Sequence, residues 1–375
     1  MKKILISGGA GFIGSKTCEK LYSLGYKLTV LDNLSKQIHG SNASESFMRI
    51  RDKCNFIKGD VRKKSDWSKA IKDQDAIIHL ASETGTGQSM YEVAKYHDVN
   101  IMGVSNMLDV LANQKHKIKK IVLSSSRAIY GEGKYKCVNN GIVYPKCRND
   151  EDMMSGKFEL ISDDGRQILT PIATDENSHC IPQSVYAVNK LYQEQILMLM
   201  GSNLNIDTTC LRYQNVYGPG QSLINPYTGI LSVFSTRILN NNDIEIYEDG
   251  KQSRDFIYID DVVDATILAL EKKQSSGNIF NIGYGKSISV NEVASHLKSC
   301  FDSEISLIVS GKFRKGDIRH NFADISKASS VLGFYPKINF EEGLKRFVNW
   351  VKSQKINIDK YEDSLRILKD KNMIR

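Results

Sequence analysis

Residues 1–14 have the sequence MKKILISGGAGFIG, and this stretch decides the fold class. Ile4-Leu5-Ile6 is a short apolar run, with the length expected of a buried parallel strand. Glycines follow at 8, 11 and 14, and apolar residues then recur at helical spacing. A strand, a glycine-rich turn and a helix in this order predict a dinucleotide site, because the turn and the positive helix N-terminus can hold a pyrophosphate.

Each glycine has a separate task in such a site. Gly8 permits a tight turn, Gly11 lets the backbone approach the pyrophosphate, and Gly14 lets the helix pack on the strand. A second apolar run, Leu28-Thr29-Val30-Leu31, ends in Asp32. A carboxylate at the tip of the second strand should bind the adenosine ribose and repel a 2′-phosphate, so we expect the cofactor to be NAD rather than NADP.

The composition is that of an ordinary globular protein. The chain has 375 residues, of which 25% are charged and 41% hydrophobic, enough for one large domain or two smaller ones. The net charge of +8 comes from scattered lysines, without an arginine-rich stripe or a basic helix. We interpret it as a solvated surface that could steer a phosphorylated substrate, and we expect no nucleic acid and no membrane as partners.

Cysteine spacing and hydropathy bear on the compartment. The seven cysteines are widely spaced, which favours reduced thiols. The apolar run after Met1-Lys2-Lys3 stops too early for a signal peptide, and no segment could span a bilayer. These features predict a cytoplasmic protein.

Further apolar runs continue the alternation of strands and helices that a doubly wound parallel sheet requires. Phe56-Ile57 precedes Gly59-Asp60-Val61, whose acid could meet the adenine amino group. Residues 76–81 predict a fourth strand with His79 as a core residue, and 93–113 predict a long helix. Ile121-Val122-Leu123 predicts a fifth strand that ends in Ser124-Ser125-Ser126. Ligands gather at the carboxyl ends of such strands, so these serines should face the site.

Residues 132–182 are polar and rich in turn signals. Three cysteines in this segment, at 137, 147 and 180, lack the close pairing that zinc sites use, and His179 does not complete a set. We predict a surface excursion without a metal.

Tyr186 and Lys190 come after this excursion and are spaced to share one face of a helix predicted over 186–199. In most proteins such a pair is an exposed tyrosine stacked on a lysine stem. Here it comes after a dinucleotide turn and a strand that ends in serines. A nearby ammonium lowers the pKa of a phenol, so serine, tyrosine and lysine predict a proton-transfer set beside a hydride acceptor.

These residues together resemble the extended short-chain dehydrogenase/reductases, and more narrowly the NAD-dependent nucleotide-sugar epimerase/dehydratase family. The resemblance covers nearly the whole chain except 132–182. It is carried by Gly8-x-x-Gly11-x-x-Gly14, Asp32, Gly59-Asp60-Val61, His79-Leu80-Ala81, Ser124-Ser125-Ser126, Tyr130-Gly131, Tyr186-x-x-x-Lys190, Leu211-Arg212-Tyr213-Gln214-Asn215-Val216-Tyr217-Gly218-Pro219, Arg254-Asp255-Phe256-Ile257-Tyr258 and Arg314-Lys315-Gly316-Asp317.

The resemblance implies roles for individual residues. Ser126, Tyr186 and Lys190 would be catalytic. Residues that would bind NAD are Gly8, Gly11, Phe12, Ile13, Gly14, Asp32, Asn33, Asp60, Val61, Leu80, Ala81, Tyr186, Lys190 and Tyr213. Residues that would bind the substrate are Ser126, Asn215 near the sugar diphosphate, Tyr247 on the nucleobase, Arg254 and Arg314 on the diphosphate, and Asp317 on the nucleotide ribose. Both arginines suit phosphate oxygens, although either could form an ordinary surface ion pair.

The family fold implies an α/β protein with a Rossmann lobe and a smaller C-terminal α/β substrate lobe. The NAD-binding lobe would take residues 1–215 plus about 255–275, and the nucleotide-sugar lobe would take 216–254 plus 276–375. The helices at 93–113 and 186–199 carry more apolar residues than one stripe against the sheet needs. By resemblance they would pair between two subunits in a homodimer, although burial within one subunit would also explain them.

Family members differ in the fate of the ketone that forms when a sugar carbon is oxidised. The 4,6-dehydratases typically carry Asp-Glu directly after the catalytic serine or threonine, whereas this chain has Arg127-Ala128. The decarboxylases carry a glutamate where Ala128 stands, and Asp32 disfavours a reductase that uses NADPH. We therefore expect 4-epimerisation, and Arg127-Ala128-Ile129-Tyr130-Gly131-Glu132-Gly133, the long excursion and the string at 221–229 most resemble the dTDP-L-rhamnose 4-epimerases. UDP-hexose and UDP-N-acetylhexosamine substrates stay open, as do a dehydratase or another oxidoreductase of the family and a non-catalytic dinucleotide sensor.

Overall fold

The computed structural model of the protein describes residues 1–40, 45–225, 227, 229–354, 359 and 361–375. Two residues of the string at 221–229, Pro226 and Thr228, lie outside the described residues. Within these ranges, every helix is too short or too polar to cross a lipid bilayer.

Strands and helices alternate along most of the described chain. The strands are β1 Lys3–Ser7, β2 Lys27–Asp32, β3 Asn55–Lys58, β4 Ala76–His79, β5 Lys120–Ser126, β6 Tyr135–Cys137, β7 Gly141–Val143, β8 Thr170–Pro171, β9 Asp207–Tyr213, β10 Asn215–Tyr217, β11 Ile244–Ile246, β12 Ser253–Tyr258, β13 Asn278–Ile282, β14 Ser287–Ser289, β15 Leu307–Val309 and β16 His320–Asn321. The α-helices are α1 Phe12–Ser23, α2 Lys36–His39, α3 Glu45–Ile50, α4 Lys64–Ile71, α5 Thr86–Ser89, α6 Val93–Tyr96, α7 Met102–Asn113, α8 Asp150–Met154, α9 Val185–Asn203, α10 Ile230–Leu239, α11 Ile259–Glu271, α12 Val290–Phe301, α13 Phe340–Lys352 and α14 Tyr361–Asp370.

Seven strands form one parallel sheet in the order β13-β9-β5-β4-β1-β2-β3. Successive side chains of β1 enter two different cores, because Ile4 and Ile6 join one buried cluster and Leu5 joins the other. Helices therefore cover both faces of the sheet. The strand order reverses between β1 and β4, which is where doubly wound sheets bind ligands. The Rossmann prediction is confirmed.

The helix predicted over 93–113 is present, but it contains a π-helical turn at His97–Ile101 between α6 and α7. Asn100 lies in this turn and is fully buried. Its main-chain carbonyl oxygen accepts a hydrogen bond from Gln193 Nε2 at 2.7 Å. A π-turn frees backbone groups for such bonds, and apolar periodicity does not predict it.

Two strands pair with the sheet of the lobe opposite to the one that the predicted boundaries gave them. β13 pairs with β9 in the large sheet, although the boundary at 276 assigned it to the C-terminal lobe. β12 pairs with β10, β14 and β16 in a small sheet, although the boundary at 255 assigned most of it to the NAD-binding lobe. Long-range strand pairing decides both cases. The division into two lobes with these residue ranges otherwise stays a prediction.

The segment 132–182 is only partly the surface excursion that we predicted. Its outer part is a sheet in the order β7-β6-β8. At its base Glu132 is 1% exposed, and the Arg148 guanidinium donates two hydrogen bonds to Glu248 at 2.7 and 2.8 Å. Opposite charges that are distant in the sequence therefore anchor this segment to the C-terminal part of the chain.

The C-terminal residues 359–375, which had no assignment from sequence, include the helix α14. Its apolar face packs in a cluster formed by Tyr361, Leu365, Leu368, Met373 and Ile374 together with Tyr91, Val233 and Tyr247. The chain end pairs with the backbone at Phe313, since Arg375 N–H donates to its carbonyl at 3.1 Å and Phe313 N–H donates back at 2.9 Å.

His79 is a buried core residue, as its place in an apolar run suggested. Its Nδ1 lies 2.6 Å from Ser7 Oγ, and the residue is 1% exposed. Burial, helped by the charge of Lys190, lowers the pKa of His79 from 6.5 to about 3. As the pH falls, the imidazole of His79 is therefore protonated in the unfolded chain before it is protonated in the folded chain. The stability that neutral His79 contributes is complete above pH 6.5 and is lost as the pH falls towards 3.

We predict that His79→Leu flattens the pH dependence of stability. Between pH 7 and pH 5 the free energy of unfolding should fall by about 2 kcal/mol less in the variant than in the wild type, because the variant has no imidazole to protonate. Denaturant unfolding at the two pH values measures this difference. An equal fall in both proteins would contradict the buried neutral histidine.

Candidate active site

A cleft of about 570 Å³ opens at the carboxyl ends of β1, β2, β4 and β5, at the reversal of strand order. Predicted residues that line it are Gly8, Gly11, Phe12, Ile13, Gly14, Asp32, Asn33, Val61, Leu80, Ala81, Ser126, Tyr186, Lys190 and Tyr213. The fold therefore brings the predicted catalytic residues and nearly all predicted NAD-binding residues to one cavity. Asp60, Asn215, Tyr247, Arg254, Arg314 and Asp317 are not part of its lining.

The glycine turn is shaped by close backbone approaches. Gly8 has φ +72°, and a Cβ on it would lie 2.6 Å from the backbone nitrogen of Ala81. A Cβ on Gly14 would lie 2.2 Å from the Gly8 carbonyl oxygen, so α1 packs directly on the turn. Gly11 precedes α1 without a side-chain cap, which leaves N–H groups of the first helical turn for a ligand. Such a cradle fits a pyrophosphate.

Asp32 is held rigidly at the end of β2. Its carboxylate accepts hydrogen bonds from the N–H groups of Ala10 at 3.0 Å and Leu34 at 2.9 Å. A carboxylate has about four acceptor positions, so two bonds leave room for ribose hydroxyls. The negative charge at this place is unfavourable for a 2′-phosphate.

Asp60, which we predicted to meet the adenine amino group, already has hydrogen-bond partners within the protein. Its carboxylate accepts from the Arg62 guanidinium at 2.6 and 3.0 Å and from Asn33 Nδ2 at 3.4 Å. It stands beside the cleft and is already engaged by these groups. Contact with an adenine amino group stays a prediction.

The predicted catalytic residues come from β5 and α9. Ser126 ends β5, and Tyr186 lies in the first turn of α9, which begins after the cap residue Ser184. Tyr186 and Ser126 both line the cleft, and Ser126 is close enough to the phenol to lower its pKa. Lys190 Nζ donates to the carbonyl oxygen of Ser124 at 2.8 Å and lies 5.9 Å from the centre of the Tyr186 ring. The predicted serine, tyrosine and lysine thus meet at the wall of the cleft.

The electrostatics of this set differ from the prediction that Lys190 lowers the tyrosine pKa towards neutral. Burial raises the pKa of Tyr186, and this outweighs the opposing effects of the Ser126 hydrogen bond and the positive charge of Arg127. Burial also lowers the pKa of Lys190 to about 7, although Glu194 opposes the shift. Arg127, which the sequence did not single out for this role, supplies a positive charge that lowers the pKa of the phenol.

The predicted substrate residues lie at a second place, between the small sheets and the C-terminal helix. The Arg314 guanidinium stacks 4.9 Å from the centre of the Tyr247 ring, and the Tyr247 hydroxyl lies 3.1 Å from that of Tyr361. A small cavity beside Arg314 and Asp317 is closed on one side by residues of the C-terminal segment. The structure thus groups Tyr247, Arg314 and Asp317, and their roles stay predictions.

Arg254 and Asn215 line neither of these two cavities. Arg254 donates to the carbonyl oxygens of Ser253, Ile318 and Arg319 at 2.6–2.9 Å. Asn215 Oδ1 accepts from Arg127 Nε at 2.8 Å. A diphosphate contact by either residue stays a prediction.

Sequence reasoning missed Arg148 and Tyr361. Arg148 Nη2 donates to the main-chain oxygen of Asp317 at 2.7 Å, so the excursion holds the loop that carries a predicted substrate residue. Tyr361 begins α14 and donates to Glu245 at 3.0 Å. The spacing of Tyr361, Leu365 and Leu368 is helical and could have revealed α14, whereas no local signal indicates the partners of Arg148.

The seven cysteines are all free thiols. In the part of the chain that the structure describes, no three His, Cys, Asp or Glu side chains converge as metal ligands would.

A Rossmann sheet with a Ser-Tyr-Lys set beside a glycine turn defines the short-chain dehydrogenase/reductase class. The model of the NAD dependent epimerase/dehydratase family matches residues 4–149 and 160–283. The chain belongs to this family, and its cofactor is NAD.

Relatives of the chain are similar over nearly their full length. A dTDP-L-rhamnose 4-epimerase of Burkholderia thailandensis is 36% identical over 93% of this chain and 95% of its own. The UDP-N-acetylglucosamine 4-epimerase from Methanobrevibacter ruminantium, solved with UDP-N-acetylmuramic acid, is 31% identical with a TM-score of 0.76 over 94% of this chain and 99% of its own. A mutant UDP-glucuronic acid 4-epimerase from Bacillus cereus, solved with a fluorinated UDP-sugar and NAD, is 28% identical with a TM-score of 0.75 over 93% and 99%.

We predict that the chain, stripped of cofactor, binds NAD far more tightly than NADP, and that Asp32→Asn reduces this preference about tenfold or more. The variant keeps an acceptor for the ribose but removes the charge that repels a 2′-phosphate. Calorimetric titration with both cofactors measures the ratio of affinities. Asp60→Asn is the matched control and should leave the ratio unchanged; equal affinities in the wild type would contradict the role of Asp32.

Proposed function

We propose that the protein is an NAD-dependent epimerase that inverts C4 of a nucleotide-activated sugar through a transient 4-keto intermediate. The observation that carries this proposal is the convergence of Ser126, Tyr186 and Lys190 on the cleft that the glycine turn lines. The substrate that we propose is dTDP-L-rhamnose or a similar dTDP- or UDP-hexose.

Bound NAD supplies a hydride acceptor and donor, and the residues of the chain supply the proton transfer. The phenolate form of Tyr186 takes the proton of the C4 hydroxyl, and the resulting phenol returns it to the oxygen of the ketone. Ser126, which lines the cleft with Tyr186, holds that same oxygen in line. Lys190 is fixed by its bond to the Ser124 carbonyl, and its ammonium favours the phenolate whenever it is protonated.

The residues after Ser126 favour epimerisation over dehydration. Elimination of water needs an acid and a base beside the sugar. Ala128 has no functional group, and Arg127 is a permanent donor whose Nε is bonded to Asn215. A dehydratase or another oxidoreductase of the same family is the alternative.

The identities of the sugar and of the nucleobase in the substrate are supported less directly. The relative from Burkholderia thailandensis is a dTDP-L-rhamnose 4-epimerase, which favours a dTDP-sugar, whereas the solved neighbours bind UDP-sugars. We propose Asn215, Tyr247, Arg254, Arg314 and Asp317 as the residues that bind the nucleotide. A sensor that only binds the dinucleotide would not require the complete Ser-Tyr-Lys set, so we consider that function less well supported.

We predict that the NAD-loaded enzyme, incubated in deuterated water with a panel of dTDP-, UDP- and GDP-sugars, converts at least one of them to a 4-epimer of unchanged mass and without deuterium on carbon. The C4 hydrogen returns to the same carbon, so solvent hydrogen does not enter the sugar skeleton. Mass spectrometry and NMR of the separated products test this. A keto product lighter by one water would identify a dehydratase, and deuterium at C3 or C5 would indicate enolisation.

Tyr186→Phe is the control for this experiment. It should retain NAD and lose most of the turnover, because only the phenolic hydroxyl, which accepts and returns the proton, is removed. Near-normal turnover in this variant would contradict the proposed role of Tyr186.

We also propose a homodimer in which α6–α7 and α9 of two subunits pair. Apolar side chains on these helices remain exposed, namely Val93 at 40%, Met102 at 47%, Val188 at 47% and Leu199 at 59%. Exposed apolar residues on neighbouring helices are typical of an interface.

We predict that light scattering detects a dimer at micromolar concentration and that Met102→Lys combined with Leu199→Lys shifts it to monomer, since each buries a charge in the interface. Tyr335→Lys, which replaces a tyrosine that is 67% exposed outside these helices, is the control and should remain dimeric. A wild type that is monomeric would rule out the proposed pairing.

A further inference from the structure

Five arginines, at positions 127, 148, 254, 314 and 319, divide into those with and those without an ion pair. Arg148 and Arg319 are ion-paired, the former with Glu132 and Glu248 and the latter with Glu159, Glu248 and Asp249. Arg127, Arg254 and Arg314 form no ion pair with any carboxylate of the described residues, and neither does Asp317 with any cation. Direct contact with a carboxylate of the described residues therefore neutralises Arg148 and Arg319, but not the other three guanidinium groups.

Arg127 is the unpaired cation nearest in sequence to the catalytic serine. It begins the 3₁₀ turn Arg127–Tyr130 directly after Ser126, and its Nε donates to Asn215 Oδ1 at 2.8 Å. Its two terminal nitrogens make no hydrogen bond to a described residue, and neither is sealed from solvent. The fork of the guanidinium, which can bind two oxygens at once, is therefore available to a ligand.

Electrostatics favour an anion at this fork. Burial lowers the pKa of Arg127 to about 9, and the charge of Arg254 adds to the shift, while Asp317, Tyr186 and Glu132 oppose it. The group is charged at neutral pH but poorly neutralised by the protein. A partly buried guanidinium without a carboxylate partner is unfavourable. An oxyanion that bound its accessible terminal nitrogens would therefore be stabilised.

We propose that Arg127 is a substrate-binding residue whose guanidinium takes an oxyanion of the nucleotide sugar beside Ser126, with Asn215 fixing its orientation. The inference rests on the proposed function. The diphosphate of a nucleotide sugar supplies oxyanions that a guanidinium fork without a partner can bind two at a time. A carboxylate on the sugar is the other source of the same chemistry.

Arg127 thereby also contributes to the choice of reaction and of substrate. An arginine directly after the serine excludes an acid that would protonate a leaving hydroxyl. It holds a charged group of the substrate close to the sugar instead, which restricts how the sugar lies against Ser126 and Tyr186. The contacts of the described chain give its two terminal nitrogens no other role.

The test is a set of titrations on the NAD-loaded protein with dTDP and UDP, with thymidine and uridine, and with UDP-glucose and UDP-glucuronate. If Arg127 binds the diphosphate, Arg127→Gln should weaken dTDP or UDP at least tenfold and leave the nucleosides unchanged, and Arg127→Lys should restore part of the loss. If Arg127 binds a sugar carboxylate, Arg127→Gln should weaken UDP-glucuronate at least tenfold and leave UDP-glucose and the diphosphates unchanged.

Arg346→Gln is the matched control, because Arg346 lies on α13 and pairs with Glu342. It should bind every ligand like the wild type. Retention of NAD by Arg127→Gln verifies that the cofactor lobe is folded. The proposal is overturned if Arg127→Gln binds every ligand like the wild type, or if it weakens nucleosides as much as diphosphates and both UDP-sugars alike. Failure of the wild type to epimerise any nucleotide sugar would instead reject the proposed function, since the titrations do not require turnover.

Discussion

The contact between the start of α1 and the turn after β1 is the constraint on which the rest of the site depends. At Gly14 even one added carbon would lie 2.2 Å from the Gly8 carbonyl oxygen, so the helix can sit this close only without a side chain. This contact brings the positive end of α1 to the cleft and places Asp32 within hydrogen-bond distance of Ala10. The cradle that fits a pyrophosphate and the position of Asp32 beside it thus depend on one backbone approach.

Burial of charge organises the opposite wall of the cleft. Tyr186 and Lys190 lose solvation when α9 packs on β5, so that phenol and ammonium are both driven towards their neutral forms. Tyr186 must therefore lose its own proton before it can accept one from a substrate hydroxyl. Positive charge favours that loss, and Arg127 supplies such a charge to the phenol.

A network of opposite charges connects the excursion to the predicted substrate residues. Arg148 is bonded both to Glu248 and to the backbone of Asp317. Such buried pairs contribute little net stability, but breaking one leaves an unpaired buried charge, which is strongly unfavourable. The excursion therefore holds the loop at 314–317 in position. The C-terminal segment packs against the other side of the same loop.

The sequence by itself determined the Rossmann sheet, the glycine turn and Asp32, because each depends on local periodicity or on a motif within one strand–turn–helix unit. It also indicated the Ser-Tyr-Lys set, through the Tyr-x-x-x-Lys spacing, the serines that end a strand and the resemblance to a family. Tertiary structure alone decided that β13 completes the large sheet, that Arg148 meets Glu248, and that α14 covers Tyr247. It also decided the protonation of Tyr186 and Lys190. Partners distant along the chain set strand pairing, and the surrounding atoms set the pKa of a buried group, so neither can be inferred from neighbouring residues in the sequence.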